Sequence, residues 1–238
     1  MTEIQYAYST RPTRNPFRYL LAVWRVMRDT SATDEAAIVE IGFARSKLGR
    51  RFARWDDVLE TLRRNPQMAA ALRARKAVDP IDLERLEQTP EGSLGRVFAR
   101  HCRARGLNPN LGYIAPENDV DWLLHQLFQT HDIWHVVTGW GNDETGEIGL
   151  GAFYLGQLRA PAFFGFLLGL LTLSTVFRRR SFEDFIEAVV TGYGQGKQAQ
   201  PLLGGDWATL WEVPLTDVRR RFGLEQATLR GEGILAAA

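Results

Sequence analysis

Apolar positions recur at helical spacing through most of the chain, and the alternation of a strand is nearly absent. Pro16 opens a segment in which Phe17, Leu20, Leu21 and Trp24 share one face among arginines, which predicts a basic amphipathic helix. Trp55 to Ala77 is charged and Ala-rich, with a helix start at Asp56 or Asp57 and an interruption at Asn65-Pro66. Ser93 to Arg105 predicts a short amphipathic helix stopped by Gly106, and Leu107 to Pro116 a loop. Asp119 or Asp121 caps a helix running to about Val137 and ending at Thr138-Gly139. Gly141 to Gly146 reads as a polar loop, with Asp143 and Glu144 solvated in it, and a new helix starts near Glu147. Ser181, followed by Glu183 and Asp184, starts the next, and Asp206 to Phe222 holds the last, broken at Pro214. The fold class is all-α: one domain over 1–238 packed around one core, with residues 1–87 supplying N-terminal helices. No internal repeat or low-complexity tract interrupts it.

The most apolar stretch, Ala160 to Phe177, approaches the roughly 20 residues of a membrane span. Pro161, Gly165, Gly169 and several hydroxyls dilute it, and Arg178, Arg179 and Arg180 come directly after it. It reads as a buried helix or the wall of an apolar cavity rather than a span, with a helix lying on a membrane surface as the alternative.

Composition excludes several classes. The 238 residues are 45% hydrophobic and 24% charged, which excludes a disordered or fibrous chain. The single cysteine, Cys102, excludes an intramolecular disulfide scaffold and a Cys-based zinc finger. The net charge of +1 gives no footprint for nucleic acid. The charge is uneven, however: residues 1–110 carry +7 and residues 111–238 carry −6. A basic front half points to an anionic surface, a membrane or a partner, beside the plainer reading of a solvated mixed-charge exterior.

Four histidines are few, so their placement is informative. His131 and His135 lie four apart on a predicted helix, one turn apart on one face, close enough to hold one ion between two imidazoles. Asp132 stands about 100° further round the same helix, from where its carboxylate can lean toward that ion. Eleven residues, three of them glycine, separate His135 from Glu147, so the chain can reverse and Glu147 can face the pair. Two imidazoles with one or two carboxylates make a divalent-metal sphere with open positions. A zinc protease would carry Glu in place of Asp132, and a His-Asp phosphohydrolase would need more ligands than this chain offers. His125 falls on another face, and His101 lies on another helix.

His131-Asp132-x-x-His135, eleven residues and Glu147 resemble the His-Asp-x-x-His-x(11)-Glu signature of the ubiquinone biosynthesis family Coq4. Thr89 to Gly95 is similar to the family's Pro-x-Gly-Thr-Leu-Gly segment, and Gly151 to Gln157 with Pro161 to the family's segment beyond its Glu. Trp211-Glu212 and Pro214 to Gly223 resemble the closing Trp-Glu and Leu-x-x-Val-Arg pattern, so the likeness spans roughly 88–224. The chain departs at Leu127 to Thr130, where many members carry Arg-Tyr-Arg-Glu, and at His135 to Gly139. These departures touch the surroundings of the ligands and leave the substrate open.

The resemblance implies an all-α peripheral membrane protein that binds a polyprenyl tail in a hydrophobic channel. It also implies exchange of the C1 carboxyl for hydroxyl on a polyprenylated 4-hydroxybenzoate ring. The alternative it leaves is a non-catalytic scaffold that carries the prenylated intermediate and organises other ubiquinone biosynthesis proteins. A metallo-hydrolase of another pathway is a third reading. His131, Asp132, His135 and Glu147 are the expected metal ligands and catalytic centre, with Asp132 alternatively a nearby base. Tyr154 is a candidate ring contact and Arg159 a candidate carboxylate clamp, against the plainer readings of a wall residue and a helix-end charge. Zinc, iron or manganese suits the donors, and magnesium is not excluded. The expected partners are the quinone precursor, a membrane surface and a second copy of the chain, and no nucleic acid. The expected location is the bacterial cytoplasm against the inner membrane, or the mitochondrial matrix face in a eukaryote.

Overall fold

A computed structural model describes residues 46–110, 115–159 and 182–227. The predicted basic helix after Pro16, the Ala160 to Phe177 segment and the Ser181 cap lie outside them. The described residues form one helical domain, all-α as expected, with nine α-helices and no strand among them. In chain order these are α1 (Lys47–Ala53), α2 (Trp55–Arg64), α3 (Pro66–Ala74), α4 (Leu83–Glu87), α5 (Leu94–Arg105), α6 (Asp119–Thr138), α7 (Glu144–Leu158), α8 (Phe182–Gln198) and α9 (Leu215–Arg221).

Local chemistry sets the boundaries. Asn65 Oδ1 accepts from the backbone of Gln67 and Met68, and Pro66 fills the first helical position, where its missing N–H costs nothing. This is the interruption that separates α2 from α3. Ser93 caps α5, which ends at Gly106 in the left-handed region, φ 65°. Asn118, rather than Asp119 or Asp121, caps α6, accepting from the backbone of Val120 and Asp121. That frees Asp119 to bind Arg63 at 2.7 Å and Arg75 at 2.5 Å. Burial opposes charge on Asp119, but the bonds from Arg75 and Arg63 and their charges outweigh it and hold the carboxyl below its usual range. The break predicted at Pro214 is where α9 begins, but the predicted helix before it is only a 3₁₀ turn, Trp207–Thr209. Between them Trp211 and Val213 turn their carbonyls to Gly95 and Leu94 of α5, which a continuous helix could not do.

α6 runs through the middle of the core. Trp122, Leu123, Ile133, Trp134 and Val136 are buried around its circumference, so it lacks the polar face of a surface helix. At its end Arg219 of α9 donates to the carbonyls of Val136 at 2.9 Å and Val137 at 3.1 Å, groups that the helix leaves unbonded. Burial lowers the Arg219 pKa. α7 and α8 form the most intimate helix pair. A Cβ on Gly192 would stand 2.1 Å from the Gly149 carbonyl oxygen, and one on Gly196 2.2 Å from that of Phe153. Glycine is therefore required where the two backbones touch. Cys102 is buried on α5, and burial, reinforced by the Asp132 charge, pushes its thiol pKa up.

Candidate metal centre

The site is built where α6 ends and α7 begins. Gly139, at φ 84°, terminates α6 in a conformation that glycine adopts freely. Asp143 then caps α7, its side chain accepting from Gly146 N at 2.9 Å. Asp143 is thus a helix cap rather than a solvated loop residue, and Glu144 is already helical. Gly146 packs so closely on Gly141 that a Cβ there would overlap its carbonyl. The tight return delivers Glu147 on the first turn of α7 to the histidine face of α6.

Three donors converge. His135 Nε2 lies 3.1 Å from His131 Nε2 and 3.2 Å from Glu147 Oε1, and His131 Nε2 lies 3.6 Å from Glu147 Oε2. His135 is fully buried, while the side chains of His131 and Glu147 are each 37% exposed. The Trp140 carbonyl can only accept, and it lies 2.9 Å from His135 Nδ1, so Nδ1 carries the proton and donates it there. Nε2 is then the nitrogen that faces the other donors. Separations of 3.1–3.6 Å between donors are those produced by bonds of about 2.1 Å to one ion. The group meets the chemistry of a divalent cation: two imidazoles and one carboxylate within 4.8 Å.

The same three groups are coupled by charge. Burial opposes ionisation of Glu147, but the His135 charge, hydrogen bonds from His131 and His135, and the His131 charge together hold its carboxyl well below the ordinary range. Tyr154 is buried, stacked on Trp134 with ring centroids 4.4 Å apart, and its hydroxyl lies 3.4 Å from His131 Nδ1. Burial first, then the charges of Glu147 and Asp132, push the phenol pKa well above its usual value, so it stays neutral.

Of the residues expected at the site, His131, His135 and Glu147 are brought together and Tyr154 borders them. Asp132, half-buried, is not among the three converging donors. Its charge bears instead on Tyr154 and Cys102. Arg159 is not at the site: it is the exposed C-cap of α7, φ 50°, about 18 Å along the helix from Glu147. His125 serves the fold, its Nε2 accepting from Val78 N at 2.8 Å. Sequence reasoning assigned no role to Trp140, whose backbone orients His135, or to Arg219, which secures the end of α6. A carbonyl partner leaves no mark in a motif. Arg219 does fall within the closing Val-Arg pattern.

Residues 25–228 match the model of the family described as "Coenzyme Q (ubiquinone) biosynthesis protein Coq4". The chain belongs to the Coq4 family. Among curated Coq4 relatives it is 27% identical to the mitochondrial ubiquinone biosynthesis protein COQ4 homolog of Rattus norvegicus, over 74% of this chain and 67% of that one. It is 30% identical to the mitochondrial COQ4 of Eremothecium gossypii, over 60% and 45%. The crystal structure of a protein assigned to ubiquinone biosynthesis from Nostoc punctiforme superposes with a TM-score of 0.71 at 27% identity, over 89% of this chain and 99% of that one. Coq4 membership makes ubiquinone biosynthesis the context of the site. Among the described residues no helix is long and apolar enough to cross a membrane.

Proposed function

We propose that this Coq4 protein is a metal-dependent enzyme that exchanges the C1 carboxyl of a polyprenylated 4-hydroxybenzoate-derived ring for a hydroxyl. The observation that carries this reading is the convergence of His131, His135 and Glu147 on one point, with His135 held in the tautomer a ligand requires. A divalent metal held there supplies Lewis acidity toward a carboxylate or phenolate and, for iron or manganese, access to dioxygen. The chain's own groups do the rest. His131 and His135 offer neutral nitrogen, Glu147 stays ionised, Tyr154 keeps its proton beside His131, and Trp134 and Phe153 keep the inner wall dry. In the overall change the ring carboxyl leaves as carbon dioxide. One atom of dioxygen becomes the ring hydroxyl and the other leaves as water, with two electrons and two protons supplied from outside.

The deciding experiment is elemental analysis of wild type beside His135→Ala, with helicity checked by circular dichroism. Near-stoichiometric iron, manganese or zinc in wild type, lost in the variant, is the expected result. Oxygen-dependent C1 conversion of a prenylated hydroxybenzoate should disappear with it. No metal in wild type even after reconstitution overturns the reading.

One observation favours a second role, a lipid-carrying scaffold at a membrane. On α8 Phe182, Ile186, Val190 and Tyr193 form an exposed apolar stripe, with Val190 65% exposed. Such a stripe suits a peripheral attachment to the inner membrane, from the bacterial cytoplasm or the mitochondrial matrix. If the scaffold role is the whole function, His135→Ala supports quinone synthesis as well as wild type does.

A further inference from the structure

We propose that Gln195, on α8 and outside the donor group, is a positioning residue for the metal centre, acting through Trp140 on His135. The proposal rests on the metal reading above for its function and on the hydrogen bonds alone for its geometry.

The His135 Nδ1 proton needs an acceptor held in place. That acceptor, the Trp140 carbonyl, belongs to a residue just past the end of α6. The Trp140 side chain contributes to that hold. Its indole is 1% exposed and lies flat against α7 at Gly149, where an added Cβ would come within 2.2 Å of the ring. Gly192 of α8 packs on the backbone of the same Gly149. Three residues along α8 from Gly192, Gln195 Oε1 accepts the indole Nε1–H at 2.9 Å. The same amide donates from Nε2 to the Thr138 carbonyl at 3.4 Å. One side chain thus ties both neighbours of Gly139, and the ring it anchors carries the carbonyl that sets the His135 tautomer.

Without Gln195 the buried indole N–H loses this acceptor, and the residue that carries the carbonyl is anchored less firmly. The His135 ring then populates the tautomer whose proton sits on Nε2, which cannot bind a cation. The expected effect is weakened metal affinity, at most the roughly 10–100-fold lost when the group directly behind a ligating histidine is removed.

The test compares Gln195→Leu with Gln157→Leu. Gln157, on α7, also bridges α7 to α8 and the segment after it: its Nε2 donates to the Gly196 and Ala199 carbonyls and its Oε1 accepts from Leu202 N. It touches neither Trp140 nor a donor, so it reports what loss of a helix tie does by itself. Both variants should melt at lower temperature. Zinc affinity, measured by chelator competition, should fall only in Gln195→Leu. In metal-free protein, ¹⁵N shifts of the His135 ring should show Nδ1–H in wild type and Gln157→Leu, and a mixture of tautomers in Gln195→Leu. Wild-type zinc affinity with an unchanged His135 tautomer in Gln195→Leu overturns the proposal, as does an equal loss of affinity in both variants. If wild type binds no metal, the metal reading falls, and the tautomer shifts alone decide the role of Gln195.

Discussion

Arg219 shows how much one side chain contributes from outside the site. The guanidinium sits where the last turn of α6 would otherwise leave the Val136 and Val137 carbonyls without donors, and burial makes that arrangement costly to break. Arg219→Met keeps the packing volume and removes the donors. The expected loss is about 2–3 kcal/mol in denaturant unfolding, because buried carbonyls are left without partners. A loss under about 0.5 kcal/mol would mean that water replaces the guanidinium. At this scale the sequence was most legible for the donors. His131 and His135 could be paired because four residues on a helix fix their relation before any tertiary contact forms. For Arg159 the plainer of the two readings, a charge at a helix end, is the one the structure shows. Its chemistry suited a carboxylate, but the length of α7 carries it away from Glu147.

The pairing of α7 with α8 depends on glycine at particular positions, and neighbouring glycines on the same helix differ sharply. Gly192 meets the backbone of Gly149, whereas a Cβ on Gly194 would meet nothing within 4 Å. Gly194→Ala should therefore stabilise by about 0.5–1 kcal/mol through helix propensity alone. Gly192→Ala should destabilise by about 3 kcal/mol or more, since the backbones must part, and should lower metal occupancy because Trp140 packs on the same spot. Chemical denaturation of the two variants side by side checks this, and equal effects would refute the close approach. The hydrophobic pattern did not single these glycines out. Which glycine is a contact depends on the partner helix, and nothing within the α8 segment specifies that partner. Helix existence was legible wherever caps and breakers were local, as at Asn65-Pro66 and Gly106. The break at Pro214 and the helix after it were legible, but the part before Pro214 was misread as helix because the Trp211 and Val213 carbonyls are claimed by α5, more than 100 residues earlier. Likewise Asp143 and Glu144 read as loop because the polarity that caps a helix resembles the polarity of a turn.

Across the whole molecule, a metal bound to His131, His135 and Glu147 clamps α6 to α7 and so stabilises the fold by mass action. At a free concentration of about 100 times Kd the gain is roughly 2.7 kcal/mol. The pH dependence of that gain separates the roles of the donors. Glu147 has a depressed pKa in the folded protein. Its own contribution to metal-free stability is therefore fully present above the unfolded carboxyl value of about 4.3 and is lost as pH falls through the lower folded value. The imidazoles bind metal only when unprotonated, so the metal-dependent gain fades at a higher pH than the contribution of Glu147 itself. Thermal melts with and without metal should then show a large shift at about pH 7.5 and almost none at about pH 5. The metal-free melting temperature should drop only in stronger acid. Glu147→Gln should remove that acid-sensitive contribution and weaken the metal shift near neutral pH. A metal shift as large in mild acid as near neutral pH would place the ion on carboxylates elsewhere and remove the histidine pair from the account.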